Sequence, residues 1–170
     1  MKQIFLSIGS NLGDPIQNVK SALQKIQNLK EIFSFRASSL YFSSPVSDLL
    51  QPNYLNAACT FKTDLLPKML FERLCQIECD LGKVKKPKNA PRSMDIDFLL
   101  YGDLFSLDSE LTLPHPRIKE RLFVLEPLLE LTSHLEIPIS SQEVEIVDLS
   151  ELIANLKQTS KDWTKILNKN

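Results

Sequence analysis

The hydrophobic spacing of this chain switches from a period of two to a period near 3.6 and back, twice over, which leaves few folds open to it. Ile4, Leu6 and Ile8 alternate over residues 3–9, which predicts a strand. Gly9-Ser10-Asn11-Leu12-Gly13 reads as a turn, Asp14 as an N-cap and Pro15 as a first helical position. Ile16, Val19, Leu23 and Ile26 then hold helical spacing to about Leu29. Residues 31–43 alternate in part and predict one long strand, and two prolines set off a loop over 44–53. In the next strand, 54–63, Leu55, Ala57, Cys59 and Phe61 face one way, and Tyr54, Asn56 and Ala58 the other. Pro67 opens a second helix through Leu70, Leu74, Ile77 and Leu81, and Gly82 ends it. After a loop over 83–91, Met94, Ile96, Phe98 and Leu100 alternate with Asp95, Asp97, Leu99 and Tyr101 in a further strand.

Strand–helix–strand–strand–helix–strand is the split βαβ order of a ferredoxin-like α+β sandwich. The expectation is one 170-residue domain with a core over about 3–131 and a C-terminal extension over 132–170. Both helices would cover one face of an antiparallel sheet, leaving the other for a site and for the extension. The later elements are less regular. Residues 111–115 suggest a short extended piece, 117–121 a helical turn and 127–131 a helix opened by Pro127. Residues 148–157 have helical spacing, and Trp163, Ile166 and Leu167 suggest a last anchoring turn.

The net charge of −1 offers no basic field for nucleic acid, and no apolar run is long enough to span a membrane. Three cysteines, Cys59, Cys75 and Cys79, are an odd number without disulfide-type spacing, and the first residues run straight into a strand with no secretory pattern. The reading is a cytoplasmic protein.

Asp95 and Asp97, two apart on a strand, share a face about 6.5 to 7 Å apart. Two carboxylates that close need a positive group between them. Mg²⁺ suits, because it is held by one or two carboxylates plus substrate phosphates. Arg92, always charged, stands just ahead of the pair. The alternative is a solvated face with a surface Arg–Asp pair. Lys83, Lys85, Lys86 and Lys88 make the preceding loop basic, either as a solvated surface or as a flap over a polyphosphate. No P-loop motif is present. His115, between two prolines, reads either as a hydrogen-bonded structural residue or, with Arg121 nearby, as a phosphate contact. Tyr54 and Asn56 pair an aromatic plate with an amide, which suits a flat heterocycle or plain packing. Phe123 reads as core and Glu78 as a solvated carboxylate.

Four stretches taken together resemble the 6-hydroxymethyl-7,8-dihydropterin pyrophosphokinase family of folate biosynthesis. They are Ser7-Ile8-Gly9-Ser10-Asn11-Leu12-Gly13, Gln51-Pro52-Asn53-Tyr54-Leu55-Asn56-Ala57-Ala58, Ala90-Pro91-Arg92-Ser93-Met94-Asp95-Ile96-Asp97, and Leu113-Pro114-His115-Pro116-Arg117 through Arg121 and Phe123. The resemblance implies transfer of pyrophosphate from ATP to the hydroxymethyl group of a reduced pterin, releasing AMP, by a monomer using small-molecule substrates. It implies that Asp95 and Asp97 bind two Mg²⁺ ions, with Arg92 and Lys83 joining them in catalysis. Glu78, Lys85, Arg92, Thr112, His115 and Arg121 match ATP-contacting positions. Ser43, Pro45, Val46, Tyr54, Asn56 and Phe123 match pterin-contacting positions. The chain departs from the pattern at Lys83, where an arginine is usual, at Asn89, near a lid tryptophan of some members, and at Pro116, which replaces an aromatic. The lid is also one residue shorter.

Overall fold

A computed structural model describes residues 1–45, 50–83 and 91–167. Strand β1 (Lys2–Ser10) leads into helix α1 (Pro15–Gln27), followed by β2 (Phe33–Ala37), β3 (Tyr41–Ser43) and β4 (Tyr54–Thr63). Helix α2 (Pro67–Asp80) precedes β5 (Asp95–Tyr101), and β6 (Ser106–Leu107) pairs with β7 (Thr112–Leu113). Then come α3 (Leu122–Leu129), the hairpin β8 (His134–Pro138) and β9 (Val144–Asp148), α4 (Leu149–Thr159) and β10 (Thr164–Ile166). The architecture is α+β. The main sheet runs β10-β3-β4-β1-β5, every pairing is antiparallel, and β2 also pairs with β4.

The alternation in β1 and β4 divides the molecule. Ile4, Leu6, Ile8, Leu55, Ala57, Cys59 and Phe61 face α1 and α2, where they pack against Val19, Ala22, Ile26, Leu70, Leu74 and Ile77. Each of the Ile, Leu, Val and Phe side chains among them contributes about 1.5–3 kcal/mol on full burial. On the opposite face Ala58, Leu99 and Leu100 pack with Leu122, Leu125 and Leu128 of α3 and Ile153 of α4. That second core covers only part of the sheet, and the site lies beside it.

Four expectations need correction. The single strand over 31–43 is two strands. Ala37 pairs with Cys59 and Tyr41 with Asn56, so four steps on one strand oppose three on the other. The Ser38 amide still donates to Ala58 O at 2.9 Å, but its hydroxyl takes the Ala58 amide, also at 2.9 Å, in place of a backbone carbonyl. In β5 the register with β1 shifts, since Phe5 faces Leu100 and Leu6 faces Phe98. Leu99 is the extra residue, so Leu100 joins the α3 side and Tyr101 the α1–α2 side, the reverse of strict alternation. The third helix starts at Leu122, not at Pro127, which lies inside it. Buried Leu122, Val124, Leu125 and Leu128 hold this turn together despite the lost proline N–H. Finally, Trp163, Ile166 and Leu167 belong to an edge-strand segment around β10 rather than to a helical turn.

Candidate active site

Asp95 and Asp97 stand at the start of β5 with Ile96 turned into the core between them. They open onto a cleft of about 250 Å³ lined by Ser7, Gly9, Ser43, Ser44, Gln51, Tyr54, Asn56, Arg92, His115, Arg117, Arg121 and Phe123 as well. The carboxylate face of β5 and the Tyr54–Asn56 face of β4 thus meet across β1, as their shared alternation requires.

Each carboxylate is met by cations. Arg92 Nη1 lies 2.8 and 2.9 Å from the two oxygens of Asp95, and Lys83 Nζ is 3.0 Å from Asp95 Oδ1. Arg121 Nη1 is 3.4 Å from Asp97 Oδ2. Burial, then the neighbouring charge of Asp95, raises the Asp97 carboxyl above its ordinary pKa against the pull of His115, Lys83 and Arg92.

Lys83 is delivered by a helix end. Gly82 takes φ +81, the left-handed conformation that glycine adopts without steric cost. Its amide donates to Cys79 O at 3.0 Å and that of Lys83 to Glu78 O at 2.9 Å, the bond pair of a Schellman cap. The chain reverses there, and Lys83 Nζ comes 2.6 Å from Glu78 Oε1. Glu78 Oε1 also accepts from the Ile96 amide at 2.7 Å, between the two aspartates. Burial raises the Glu78 carboxyl, partly offset by Lys83 and the Ile96 amide. Burial works against the charge of Lys83, yet Glu78 and Asp95 hold its pKa above the ordinary value.

Arg92 is fixed through its backbone. Its amide donates to Asn11 Oδ1 at 2.8 Å, and the Asn11 amide donates to Arg92 O at 3.0 Å. The Asn11 side chain also donates to Gln51 Oε1 and Pro52 O, each at 3.1 Å. One buried asparagine therefore ties the first turn, the rim at 51–52 and the entry to β5 together. Ser10 Oγ and Asn18 Nδ2 add bonds to Ser93 O at 2.6 and 3.1 Å. Asn11 and Gln51 fall within two of the stretches that carry the resemblance, but residue type gives them no role, because loop polarity is the ordinary explanation; Asn18, in the first turns of α1, reads as an ordinary polar helix residue.

At the other end of the cleft Asn56 Nδ2 donates to Ser43 Oγ at 2.8 Å. Gly9 lies opposite Asn56, and a Cβ there would come within 3.1 Å of Asn56 Oδ1, so glycine keeps the sheet surface open over the amide. Phe123 carries the Arg121 guanidinium 5.4 Å above its ring centroid. Phe123 is partly exposed to the cleft rather than sealed in the core. Arg121 Nε is buried and has no hydrogen-bond partner among the described residues. A buried cation with an unused donor beside a cleft is suited to an anionic ligand. His115 Nδ1 accepts from the Arg117 amide at 3.1 Å, and the His115 amide donates to Leu99 O at 2.9 Å, so the ring is both structurally held and cleft-lining.

The structure brings Arg92, Asp95, Asp97, His115, Arg121, Ser43, Tyr54, Asn56 and Phe123 to one cleft. Lys83 reaches it through Asp95. Glu78, read from its residue type as solvated, is only 5% exposed and turns under β5. Thr112 is not among the cleft-lining residues and donates to Asp108 O at 2.9 Å, and Pro45 does not line the cleft either. Val46, Lys85, Lys86, Lys88 and Asn89 lie outside the described residues. Among the described residues no three His, Cys, Asp or Glu side chains gather into a metal-binding group, so the carboxylate pair is the available oxygen donor set. No described helix is long and apolar enough to cross a membrane.

A family model described as 7,8-dihydro-6-hydroxymethylpterin-pyrophosphokinase (HPPK) matches residues 5–133. The chain is 36% identical to 2-amino-4-hydroxy-6-hydroxymethyldihydropteridine pyrophosphokinase of Haemophilus influenzae, over 84% of this chain and 89% of that protein. It is 35% identical to the protein of the same name from Bacillus subtilis, over 83% of this chain and 84% of that one. It is 38% identical to the folic acid synthesis protein fol1 of Pneumocystis carinii over 83% of this chain, but spans only 19% of that longer protein. Its fold is similar to the HPPK-DHPS of Plasmodium falciparum, with a TM-score of 0.63 at 14% identity, covering 91% of this chain and 43% of that one.

Proposed function

The chain belongs to the 7,8-dihydro-6-hydroxymethylpterin-pyrophosphokinase family, whose reaction in folate synthesis transfers pyrophosphate from ATP to hydroxymethyldihydropterin, and we propose that it carries out this reaction within the cleft just described. The observation behind the residue assignment is that one cleft joins the Asp95–Asp97 pair to Tyr54, Asn56 and Phe123. A phosphate-handling end and a heterocycle-handling end on one sheet face suit a donor nucleotide and a flat acceptor.

At the heterocycle end, Tyr54 and Phe123 stack on the pterin, and Asn56, oriented by Ser43, hydrogen-bonds its edge. Pro45 and Val46 add the rim contact. At the phosphate end, Arg92, Arg121 and His115 bind ATP, with Glu78, Lys85 and Thr112 as further nucleotide positions. Asp95 and Asp97 fit Mg²⁺, since they offer oxygen donors to a cleft and Mg²⁺ completes its shell with water and substrate phosphate. Two Mg²⁺ ions held there would supply charge neutralisation to the phosphates. The protein's own share is positioning and electrostatics. Arg92 and Lys83 neutralise Asp95 in this structure and lie where they can turn to phosphate oxygens instead. Lys83 stands at the usual arginine position and offers a point charge instead of a planar fork.

In this reading the sheet and α1–α2 form a ferredoxin-like sandwich, and residues 1–170 act as one catalytic domain. The chain would act as a monomer on small-molecule substrates. Three free cysteines suit the reducing cytoplasm. The test is AMP release from ATP with Mg²⁺, with and without 6-hydroxymethyl-7,8-dihydropterin. AMP formed only when the pterin is present supports the assignment, and pterin-independent AMP or phosphate release contradicts it.

A further inference from the structure

The family match ends at residue 133, yet well after it the chain returns to pair with β3, the strand whose end borders the cleft. Strand β10 lies along β3, with Thr164 opposite Ser43, Lys165 opposite Phe42 and Ile166 opposite Tyr41. Bonds continue past both ends of the pairing. The Ser44 amide donates to Trp163 O at 3.2 Å, the Trp163 amide to Ser44 Oγ at 3.3 Å, and the Leu167 amide to Leu40 O at 2.7 Å.

This edge strand is held from beneath by one carboxylate. Glu126 of α3 accepts a hydrogen bond from Thr164 Oγ1, and Lys157 Nζ at the end of α4 lies 2.6 Å from Glu126 Oε1. The Lys157 and Thr164 contacts thus clamp both ends of the segment leading from α4 to β10.

What β10 covers is the short strand that ends in the site. β3 has three residues, and its last, Ser43, takes the Asn56 amide at 2.8 Å. Ser43 and Ser44 both line the cleft. Without β10, β3 would be an edge strand paired only with β4, and a three-residue edge strand frays readily.

We infer that the C-terminal segment 161–167 is a positioning element for the acceptor end of the cleft, fixing the Ser43–Ser44 rim and through it the orientation of Asn56. The inference rests on the assignment of that end to the pterin. Its effect falls on the acceptor end because Arg92, Asp95 and Asp97 are placed by β5 and Asn11, which β10 does not touch, and Lys165→Pro leaves the Thr164–Glu126 bond to α3 in place.

Two variants test it, a chain ending at Ser160 and the full chain with Lys165→Pro, which removes a donor from the strand opposite Phe42 while leaving an exposed position otherwise intact. Steady-state kinetics would be measured against pterin and against ATP, with hydrogen exchange at the Phe42 and Ser44 amides. The expected result is a KM for pterin raised about fivefold or more, a KM for ATP within about twofold of the parent, and loss of protection at both amides. Equal rises in both constants, or no rise in either, overturn the inference. Should the shortened chain not fold, Lys165→Pro decides alone. An intact chain without pterin-dependent AMP release overturns the parent assignment and this inference with it, a result visible before any variant is made.

Discussion

Glu78 holds Lys83 twice: its carbonyl accepts the Lys83 amide at 2.9 Å, and its carboxylate accepts Lys83 Nζ at 2.6 Å. The second bond leaves the ammonium 3.0 Å from Asp95, so a residue beneath the sheet sets where a cation stands at the candidate metal site.

Lys83→Ala should therefore act on both stability and chemistry. It strips a partner from a buried carboxylate, a loss of about 1–3 kcal/mol. It should lower kcat more than it raises the KM for ATP, since a charge near developing phosphate charge counts most in the transition state. Lys83→Arg should keep turnover and could raise it. Thermal melts and steady-state kinetics of both variants check this, and an unchanged kcat in Lys83→Ala would remove Lys83 from the catalytic set.

Glu78→Gln should separate stability from activity through pH. Burial raises the folded pKa of Glu78 above its ordinary 4.5, so the folded state binds more protons than the unfolded one between 4.5 and that raised value. The contribution of Glu78 to the stability of the wild-type chain is therefore lost as pH rises through this window. Glutamine keeps the acceptor for Ile96 and Lys83 but cannot ionise. The variant should melt above the wild type at neutral pH, with the gap closing as pH falls to about 4, while its kcat drops. A gap that widens on acidification would reverse the argument.

Asp95→Asn and Asp97→Asn should each lower turnover by about two orders of magnitude or more with little change in fold, because each removes charge at the cleft and not core volume. Circular dichroism and Mn²⁺ titration in the presence of a non-hydrolysable ATP analogue report fold and metal binding separately. Near-normal activity in either variant excludes that carboxylate.

Tyr54→Ala and Phe123→Ala should weaken pterin more than ATP, by about 0.5–1.5 kcal/mol each for the stacking contribution. Phe123 also lies under Arg121, so its variant should show some loss toward ATP that Tyr54→Ala lacks. Titration calorimetry with each ligand gives the comparison. Equal losses for both ligands in both variants would point to collapse of the cleft.

Alkylation of the folded chain should follow burial of the thiols. Cys79 is exposed and should react first, and Cys75 more slowly. Cys59 is fully buried, its thiol pushed well above the ordinary range by that burial, and it should react only on unfolding. Peptide mass mapping reads the order.

The elements that position the carboxylate pair were legible because they obey one rule each. β1, β4 and the first half of β5, as far as Phe98, alternate, α1 and α2 keep helical spacing, and Asp14 caps α1 by accepting the Gln17 amide at 3.0 Å. The shared face of Asp95 and Asp97 with that of Tyr54 and Asn56 follows from those periods. What stayed hidden depends on contacts between distant residues. The break at Ser38 needs Ala58, and the bulge at Leu99 needs β1. Strand β10 reads as part of an irregular tail until β3 and Glu126 give it partners. In the hairpin β8–β9 Leu135, Ile137 and Val147 turn inward, but the apolar Val144 and Ile146 of β9 stay exposed and half-buried Glu145 faces the inner side, so residue type does not mark the buried face. Glu78 looks like any charged residue on a helix until Ile96 and Lys83 close over it.

In the proposed reaction the β- and γ-phosphates leave ATP as one unit and arrive on the acceptor hydroxymethyl group. A single turnover with ATP carrying oxygen-18 at the nonbridging positions of the α-phosphate in one sample and of the β-phosphate in another, with both products analysed by fragmentation mass spectrometry, tests this directly. The expected products are AMP retaining only the α label and, in equal amount, a pterin that has gained two phosphates with the β label on the phosphorus bonded to its methylene oxygen. ADP with a singly phosphorylated pterin, or AMP with free pyrophosphate and unmodified pterin, would contradict it.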